Sequence, residues 1–173
     1  MSVTYRDATV ADAQALSDLA RETFVATFGA LYPVADLKHY IAHTYGREIQ
    51  AAEIADASMQ HRLAEQDGVL VGYARAGAYK LPFDNAARSA FELHRLYVTE
   101  AVKGAGVASA LMDWTQARAE AAGADDLFLG VYQGNERAQR FYKRYGFEIV
   151  GEYLFSVGAT RDPEYIMRKT LRA

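Results

Sequence analysis

Apolar positions along this chain change period several times, and each change marks an element. Leu16, Leu19, Ala20, Phe24 and Phe28 recur at helical spacing, with Gly29 at the end. Thr9 followed by Asp12 opens that helix, since each residue can satisfy the other's backbone N–H. Pro33 opens a second helix with Leu37, Tyr40, Ile41 and Tyr45 on one side and Gly46 past its end. A third helix is predicted over 47–57. The period then falls to two. Residues 59–65 and 69–78 read as antiparallel strands around the turn Gln66-Asp67-Gly68, and 3–7 reads as a short first strand. Residues 82–90 read as a loop.

Residues 93–98 are rich in apolar and aromatic side chains and read as a buried strand. The loop Lys103-Gly104-Ala105-Gly106-Val107-Ala108 follows, then a helix running to Gly123. Residues 127–132 form another apolar strand. Asn135 caps the next helix and Gly146 terminates it. The chain closes with a hairpin, strands 147–157 and 164–170 around a loop at 158–163. This order predicts an α/β domain over 1–173 with one mixed sheet and helices on both faces. There is no internal repeat, low-complexity segment or linker.

Composition narrows the function. The chain has 173 residues, 51% apolar, enough for a real core. A net charge of −3 argues against nucleic acid as a main partner. With no cysteine there is no disulfide framework and no thiol nucleophile. The first residues carry no apolar run of a signal peptide, and no stretch is long and apolar enough to span a membrane. The expected compartment is therefore the cytoplasm, with no membrane partner.

The glycine loop carries the first chemical signal. Two glycines let backbone N–H groups approach a ligand, and a helix N-terminus adds unpaired donors and partial positive charge. Together they suit an anion, most often a phosphate. A dinucleotide fingerprint would continue to a third glycine or alanine where Ser109 stands, and no Walker-type Gly-Lys-Ser/Thr follows. Lys103, Gly106 and Ala108 instead fall on the Gln/Arg-x-x-Gly-x-Gly/Ala positions of motif A of the GNAT superfamily of N-acetyltransferases, which this segment resembles. Lys103 departs from Gln/Arg but keeps a cationic donor. The stretch from Asn135 to Phe147 resembles the family's motif B, N-x-x-A-x-x-F-Y-x-x-x-G-F. The resemblance covers residues 91–171 well and the N-terminal half loosely.

The resemblance implies a GNAT-like fold: a mixed, mostly antiparallel sheet of about seven strands, with helices on both faces. Its parallel central strands would splay apart to admit the pantetheine arm of acetyl-CoA, the acyl donor. In that reading Leu96, Tyr97 and Val98 offer backbone to the arm, and the Val98 N–H serves as oxyanion donor. Lys103, Gly104, Ala105, Gly106, Val107 and Ala108 cradle the pyrophosphate. Asn135 reaches the pantetheine and Phe141 packs near the cofactor. No metal is expected. Dimerisation is common in the family, so a homodimer is compatible with the resemblance.

Acetyl transfer to an amine demands a base, because an alkylammonium with a pKa of about 10.4 has no lone pair. It also needs an oxyanion donor, an acid for the thiolate, and alignment. Tyr142 is the candidate acid. It lies about two helical turns after Asn135 and so shares its face, and a phenol donates at neutral pH. The resemblance places the family's general-acid tyrosine there; a core aromatic beside Phe141 and Tyr145 is the structural alternative. Glu92 is the candidate base. Strand alternation puts Glu92, His94 and Leu96 on one face, and a solvated glutamate at a strand end is the alternative. Arg137, Arg140, Lys143 and Arg144 make a basic helix face, suited to a cofactor phosphate or simply to water. His39 and His43 stand at i, i+4, but no third ligand accompanies them.

The sequence thus predicts an acetyl-CoA-dependent N-acetyltransferase acting on a small-molecule or peptide amine by direct attack in a ternary complex, since no cysteine exists to carry the acetyl group. The alternatives are a non-catalytic acyl-CoA sensor, or an acyltransferase using a longer acyl-CoA.

Overall fold

The computed structural model describes residues 2–173. Seven strands form one sheet in the order β1-β2-β3-β4-β5-β7-β6. They are β1 (Thr4–Asp7), β2 (Met59–Gln66), β3 (Val69–Ala78), β4 (Ala90–Val98), β5 (Asp126–Tyr132), β6 (Glu148–Val157) and β7 (Thr160–Thr170). Among the described residues only β4 and β5 pair in parallel; the other neighbours are antiparallel. The helices are α1 (Ala13–Phe28), α2 (Val34–Thr44), α3 (Arg47–Ala55), α4 (Val107–Ala121) and α5 (Glu136–Arg144).

The helix boundaries follow the local chemistry. The Thr9 N–H donates to the Asp12 carboxylate at 2.8 Å, opening a single 3-10 turn that runs into α1. α3 ends at Ala55, two residues earlier than its pattern predicts; the Asp56 carboxylate accepts the Ser58 N–H and hydroxyl and turns the chain toward β2. The β2–β3 turn places Asp67 and Gly68 at φ 52° and 79°, the left-handed pair that matches strand twist in a two-residue hairpin.

The final hairpin is tighter than predicted. β7 begins at Thr160, so 160–163 is strand and only Gly158 and Ala159 turn. Asp36 at the start of α2 holds this turn, accepting the Ala159 N–H at 3.0 Å and the Thr160 hydroxyl at 2.7 Å. Pro163 is tolerated because it sits where β5 pairing ends, at Tyr132↔Glu164: its carbonyl still accepts the Gln133 N–H at 3.0 Å, and only the reciprocal bond of that last step is missing.

Alternation along the strands builds two cores. Leu93, Leu127, Leu129 and Met167 pack under Val107, Leu111 and Met112 of α4, with α5 alongside. On the other face Leu63 and Tyr73 pack under Leu16, Leu19, Ala20 and Phe24 of α1. Fully burying a side chain such as Leu111 contributes about 1.5–3 kcal/mol.

One irregularity positions the site. β3 pairs Arg75 with Arg95 and Ala76 with Leu93, so His94 is an extra residue bulged out of β4. The bulge breaks simple alternation: Leu96 and Val98 join the α4 core, whereas Tyr97 turns to the α1 side. Leu96 therefore does not share the face of Glu92 and His94, contrary to the expectation from sequence.

Candidate functional site

The parallel pair opens midway along its length. β4 and β5 are in register from Ala90↔Asp126 to Leu93↔Leu129, and no pairing continues beyond. The Thr99 N–H bonds back to Val71 of β3 at 2.9 Å. Because backbone groups alternate along an antiparallel strand, Tyr97 also directs its N–H and C=O at β3, while Leu96 and Val98 direct theirs into the gap. The edge that the sequence assigns to a pantetheine arm thus consists of Leu96 and Val98. Tyr97 is not part of it: its backbone is committed to β3 and its ring stacks on Tyr73 at 5.9 Å.

Beyond the gap the chain enters the glycine loop. Gly104 and Gly106 take φ 80° and 81°, and a Cβ on either would meet nothing within 4 Å. Gly106 is the N-cap of α4, and its carbonyl accepts the first helical bond from the Ala110 N–H at 3.0 Å. The amides of Val107, Ala108 and Ser109 are left as the unpaired first turn. Lys103 is ion-paired with Glu100. Beside the loop lies a cleft of about 140 Å³ lined in part by Thr23, Thr27, Val98, Thr99 and Lys103. The Thr99 hydroxyl there is buried with no protein partner, a position the sequence reading did not single out. Open space at two left-handed glycines, free amides and an orphaned hydroxyl fit a phosphate-bearing acyl donor.

α5 supplies the other wall. The Asn135 side chain accepts the Ala138 N–H at 3.2 Å, so it is engaged as the helix cap. Gln139 donates to the Tyr132 and Gln133 carbonyls at 3.2 and 2.8 Å and fastens the helix to the end of β5. The Phe141 ring meets Tyr142 at 5.4 Å and Tyr145 at 5.1 Å. Burial alone pushes the Tyr142 phenol well above its usual range, so it stays a neutral donor at physiological pH. Two of the four cations on the basic helix face have local partners: Arg140 lies 3.5 Å from Glu136, and Arg144 sits over the Phe141 ring.

Glu92 lies at the floor of the opposite face, aligned with Phe128 in the last paired stretch of β4 and β5. It is buried, not solvated at a strand end. Burial pushes its carboxyl up to about 7, against hydrogen bonds from the Lys80 and Leu81 amides that favour the charged form. The Lys80 N–H donates to Oε2 at 2.7 Å. That amide is held in place by the 80–89 loop: Phe83 packs on Phe128, and Asn85 and Arg88 both bond the buried Asp126 carboxylate. His94 Nδ1 lies 3.2 Å from Glu92 Oε1. The sequence placed His94 on this face but gave it no role.

Above Glu92, α1 and α2 face β6 and β7 across an aromatic space. Phe28 meets Tyr132, Tyr40 meets Phe155, and Tyr153 donates to Glu164 at 2.6 Å. A Cβ on Gly130 would come within 2.6 Å of the Tyr153 hydroxyl, so glycine is needed there for the Tyr153–Glu164 pair to lie against β5. His39 and His43 stack on each other at 4.1 Å, and the His43 Nδ1–H donates to the His39 carbonyl. Among the described residues no three His, Cys, Asp or Glu side chains cluster as a metal would require, and no helix is long and apolar enough to cross a membrane.

Comparison with known proteins agrees with this geometry. An uncharacterized N-acetyltransferase of Mycobacterium tuberculosis (strain ATCC 25618 / H37Rv) is 35% identical over 149 residues, covering 84% of this chain and 91% of its own. An uncharacterized N-acetyltransferase from the pepI 3' region of Lactobacillus delbrueckii subsp. lactis is 24% identical over 153 residues, 88% of each chain. Among solved structures, the PaiA N-acetyltransferase of Thermoplasma acidophilum, in complex with coenzyme A, superimposes with a TM-score of 0.80 at 21% identity, covering 98% and 99% of the two chains. The yncA protein of Salmonella typhimurium, solved with its cofactor acetyl-CoA, gives a TM-score of 0.68 at 19% identity, covering 100% and 96%. The family model for the acetyltransferase (GNAT) family matches residues 14–147. With its split parallel strands and glycine loop, this chain belongs to the GNAT acetyltransferase family.

Proposed function

We propose that the protein transfers acetyl from acetyl-CoA to a primary amine of a small molecule or peptide, by direct attack within a ternary complex. The observation that carries this reading is the buried Glu92 carboxyl, pushed up to about 7, beside the strand edge where β4 leaves β5. A carboxylate of that strength takes a proton from an amine far better than an ordinary glutamate does. Solved relatives that hold coenzyme A and acetyl-CoA support the choice of donor.

Each group then has one task. The Val107–Ser109 amides and the Gly104–Gly106 backbone receive the pyrophosphate. Leu96 and Val98 bond the pantetheine arm, recovering hydrogen bonds the gap leaves unmade. Glu92 removes the ammonium proton, directly or through one water. As the amine nitrogen attacks the thioester carbonyl, the Val98 N–H holds the oxyanion. Tyr142 gives its hydroxyl proton to the departing thiolate as the C–S bond breaks, and the proton that the new amide nitrogen sheds restores the phenol through solvent. Aromatic rings with Glu164 and Asp162 nearby suit a positively charged acceptor.

Thiol release from acetyl-CoA against a panel of amines tests the proposal with little background, because the chain has no cysteine. Release with one class of amine is the expected result. Acetyl-CoA binding without release to any amine overturns acetyl transfer in favour of a sensor or a longer acyl donor.

A further inference from the structure

The contact between His94 and Glu92 has a consequence for where a proton resides. His94 Nε2 lies 2.8 Å from the Ala78 carbonyl oxygen. A carbonyl only accepts, so Nε2 carries a hydrogen and donates it. In the neutral ring Nδ1 is then a bare lone pair, and it faces Glu92 Oε1 at 3.2 Å. A lone pair and a carboxylate oxygen attract only through a proton between them. The other oxygen, Oε2, is occupied by the Lys80 N–H. Alternation puts His94 on the Glu92 face, and the bulge adds Arg95 to that side, over the Tyr45 ring.

We propose that Glu92 and His94 hold one proton between them, with His94 a positioning residue that accepts the hydrogen bond from Glu92 once Glu92 has taken the amine's proton. The inference rests on the reading of Glu92 as the base. In the step, an N–H bond of the ammonium breaks and an O–H bond forms at Glu92 Oε1. The new hydroxyl donates to Nδ1, and the proton leaves to water after product departs. Both side chains are buried, which disfavours an ion pair: the Glu92 carboxyl is pushed up to about 7 and the His94 ring down to about 4. The surrounding cations act on the two groups differently. Arg75 on β3, Arg95 on β4 and Lys80 in the loop all oppose a positive His94, while Arg75 and Lys80 also favour the charged Glu92 and offset part of its burial; Glu53 of α3 pairs with Arg95. Tyr79 and Tyr153 feel the Glu92 charge from the loop side and from β6, and His61 on β2 feels His94.

Nitrogen NMR of the 15N-histidine-labelled protein reads the pair without turnover. Between about pH 5.5 and 8.5, His94 should remain the neutral Nε2–H tautomer. Its Nδ1 resonance should move from a hydrogen-bonded value at the acidic end to a free value at the basic end, tracking Glu92. In Glu92→Gln, whose amide donates at every pH, it should stay at the bonded value. A proton found on Nδ1, or an Nδ1 signal indifferent to pH and to Glu92→Gln, overturns the proposal. In kinetics, His94→Ala admits water and removes the acceptor for the protonated form, so the acidic limb of kcat/KM should move down by about one pH unit with KM for acetyl-CoA unchanged. An unmoved limb overturns the role, since a merely structural histidine would cost stability alone. If the NMR behaves as expected but no amine is acetylated, the shared proton stands and the acetyl-transfer reading falls.

Discussion

Glu92 makes a statement about stability as well as chemistry. Its carboxyl moves from an ordinary 4.5 to about 7 because folding removes it from water. Between those values the folded chain binds the proton more tightly than the unfolded chain, so this group's contribution falls as pH rises through the window. Above about pH 7 the cost is fully developed and is on the order of 3 kcal/mol. His61 and His94, each held down to about 4, act with the opposite sign. They oppose protonation of the folded state, so stability is lost as pH falls below about 6.5 toward 4. Glu92→Gln removes only the first effect. Urea unfolding at about pH 5 and about pH 8 should show the variant gaining on the parent toward the basic end; a constant difference across pH would mean that Glu92 is not destabilised by burial. Tyr142 has a different signature. Its hydroxyl is needed only when the thiolate leaves, so Tyr142→Phe should lower kcat by about 10²-fold with acetyl-CoA affinity nearly unchanged. Equal loss in affinity would return Tyr142 to a packing role, beside Phe141 and Phe147.

At the scale of elements, β4 carries the site because its two edges differ. Tyr97 and Thr99 give their amides to β3, whereas Leu96 and Val98 face the gap. Amide exchange should reflect this alternation: Leu96 and Val98 should exchange faster than Tyr97 and Thr99, and acetyl-CoA should protect the fast pair selectively. Uniform exchange along 96–99 would mean that the gap does not expose the strand. Much of this was legible from sequence. The β2–β3 turn, the loop with Gly104 and Gly106, the Asn135 cap and the positions of Glu92 and Tyr142 are local signals, carried by a few adjacent residues. The bulge at His94 is not local. It exists only in register with Ala76 and Arg75 of β3, so a strict two-residue period assigns Leu96 to the wrong face. The backbone role that the resemblance implied for Tyr97 falls to the alternation of strand edges, which turns Tyr97 toward β3. The start of β7 was hidden for a similar reason, since Pro163 reads as a strand breaker until the end of β5 is known to stop at its neighbour Glu164. The tertiary contacts of Thr99 and His94 had no sequence pattern to reveal them.

At the scale of the molecule, the sheet has a seam. β1 to β4 form one antiparallel block and β5, β7 and β6 another, joined by the four register pairs from Ala90↔Asp126 to Leu93↔Leu129. Arg88 and Asn85 clasp Asp126 at the closed end of the seam, and the other end is open. A ligand that bonds Leu96 and Val98 in the gap while its pyrophosphate sits on the α4 N-terminus ties the open end together. Its binding energy becomes folding energy, about 2.7 kcal/mol at a hundred times Kd. For a chain of this size that corresponds to a rise in Tm of roughly 5–10 °C. ADP has the pyrophosphate but no pantetheine arm, so at the same concentration it should give a much smaller rise than coenzyme A. Gly106→Ala separates the loop from the gap. Nothing lies within 4 Å of the added methyl, but φ 81° costs an L-residue about 1–2 kcal/mol and the side chain crowds the phosphate approach. The variant should therefore melt slightly below the parent when free and lose most of the coenzyme A shift. If Gly106→Ala keeps the full shift, the glycine loop is not where the pyrophosphate binds; if ADP matches coenzyme A, the ligand does not bridge the seam.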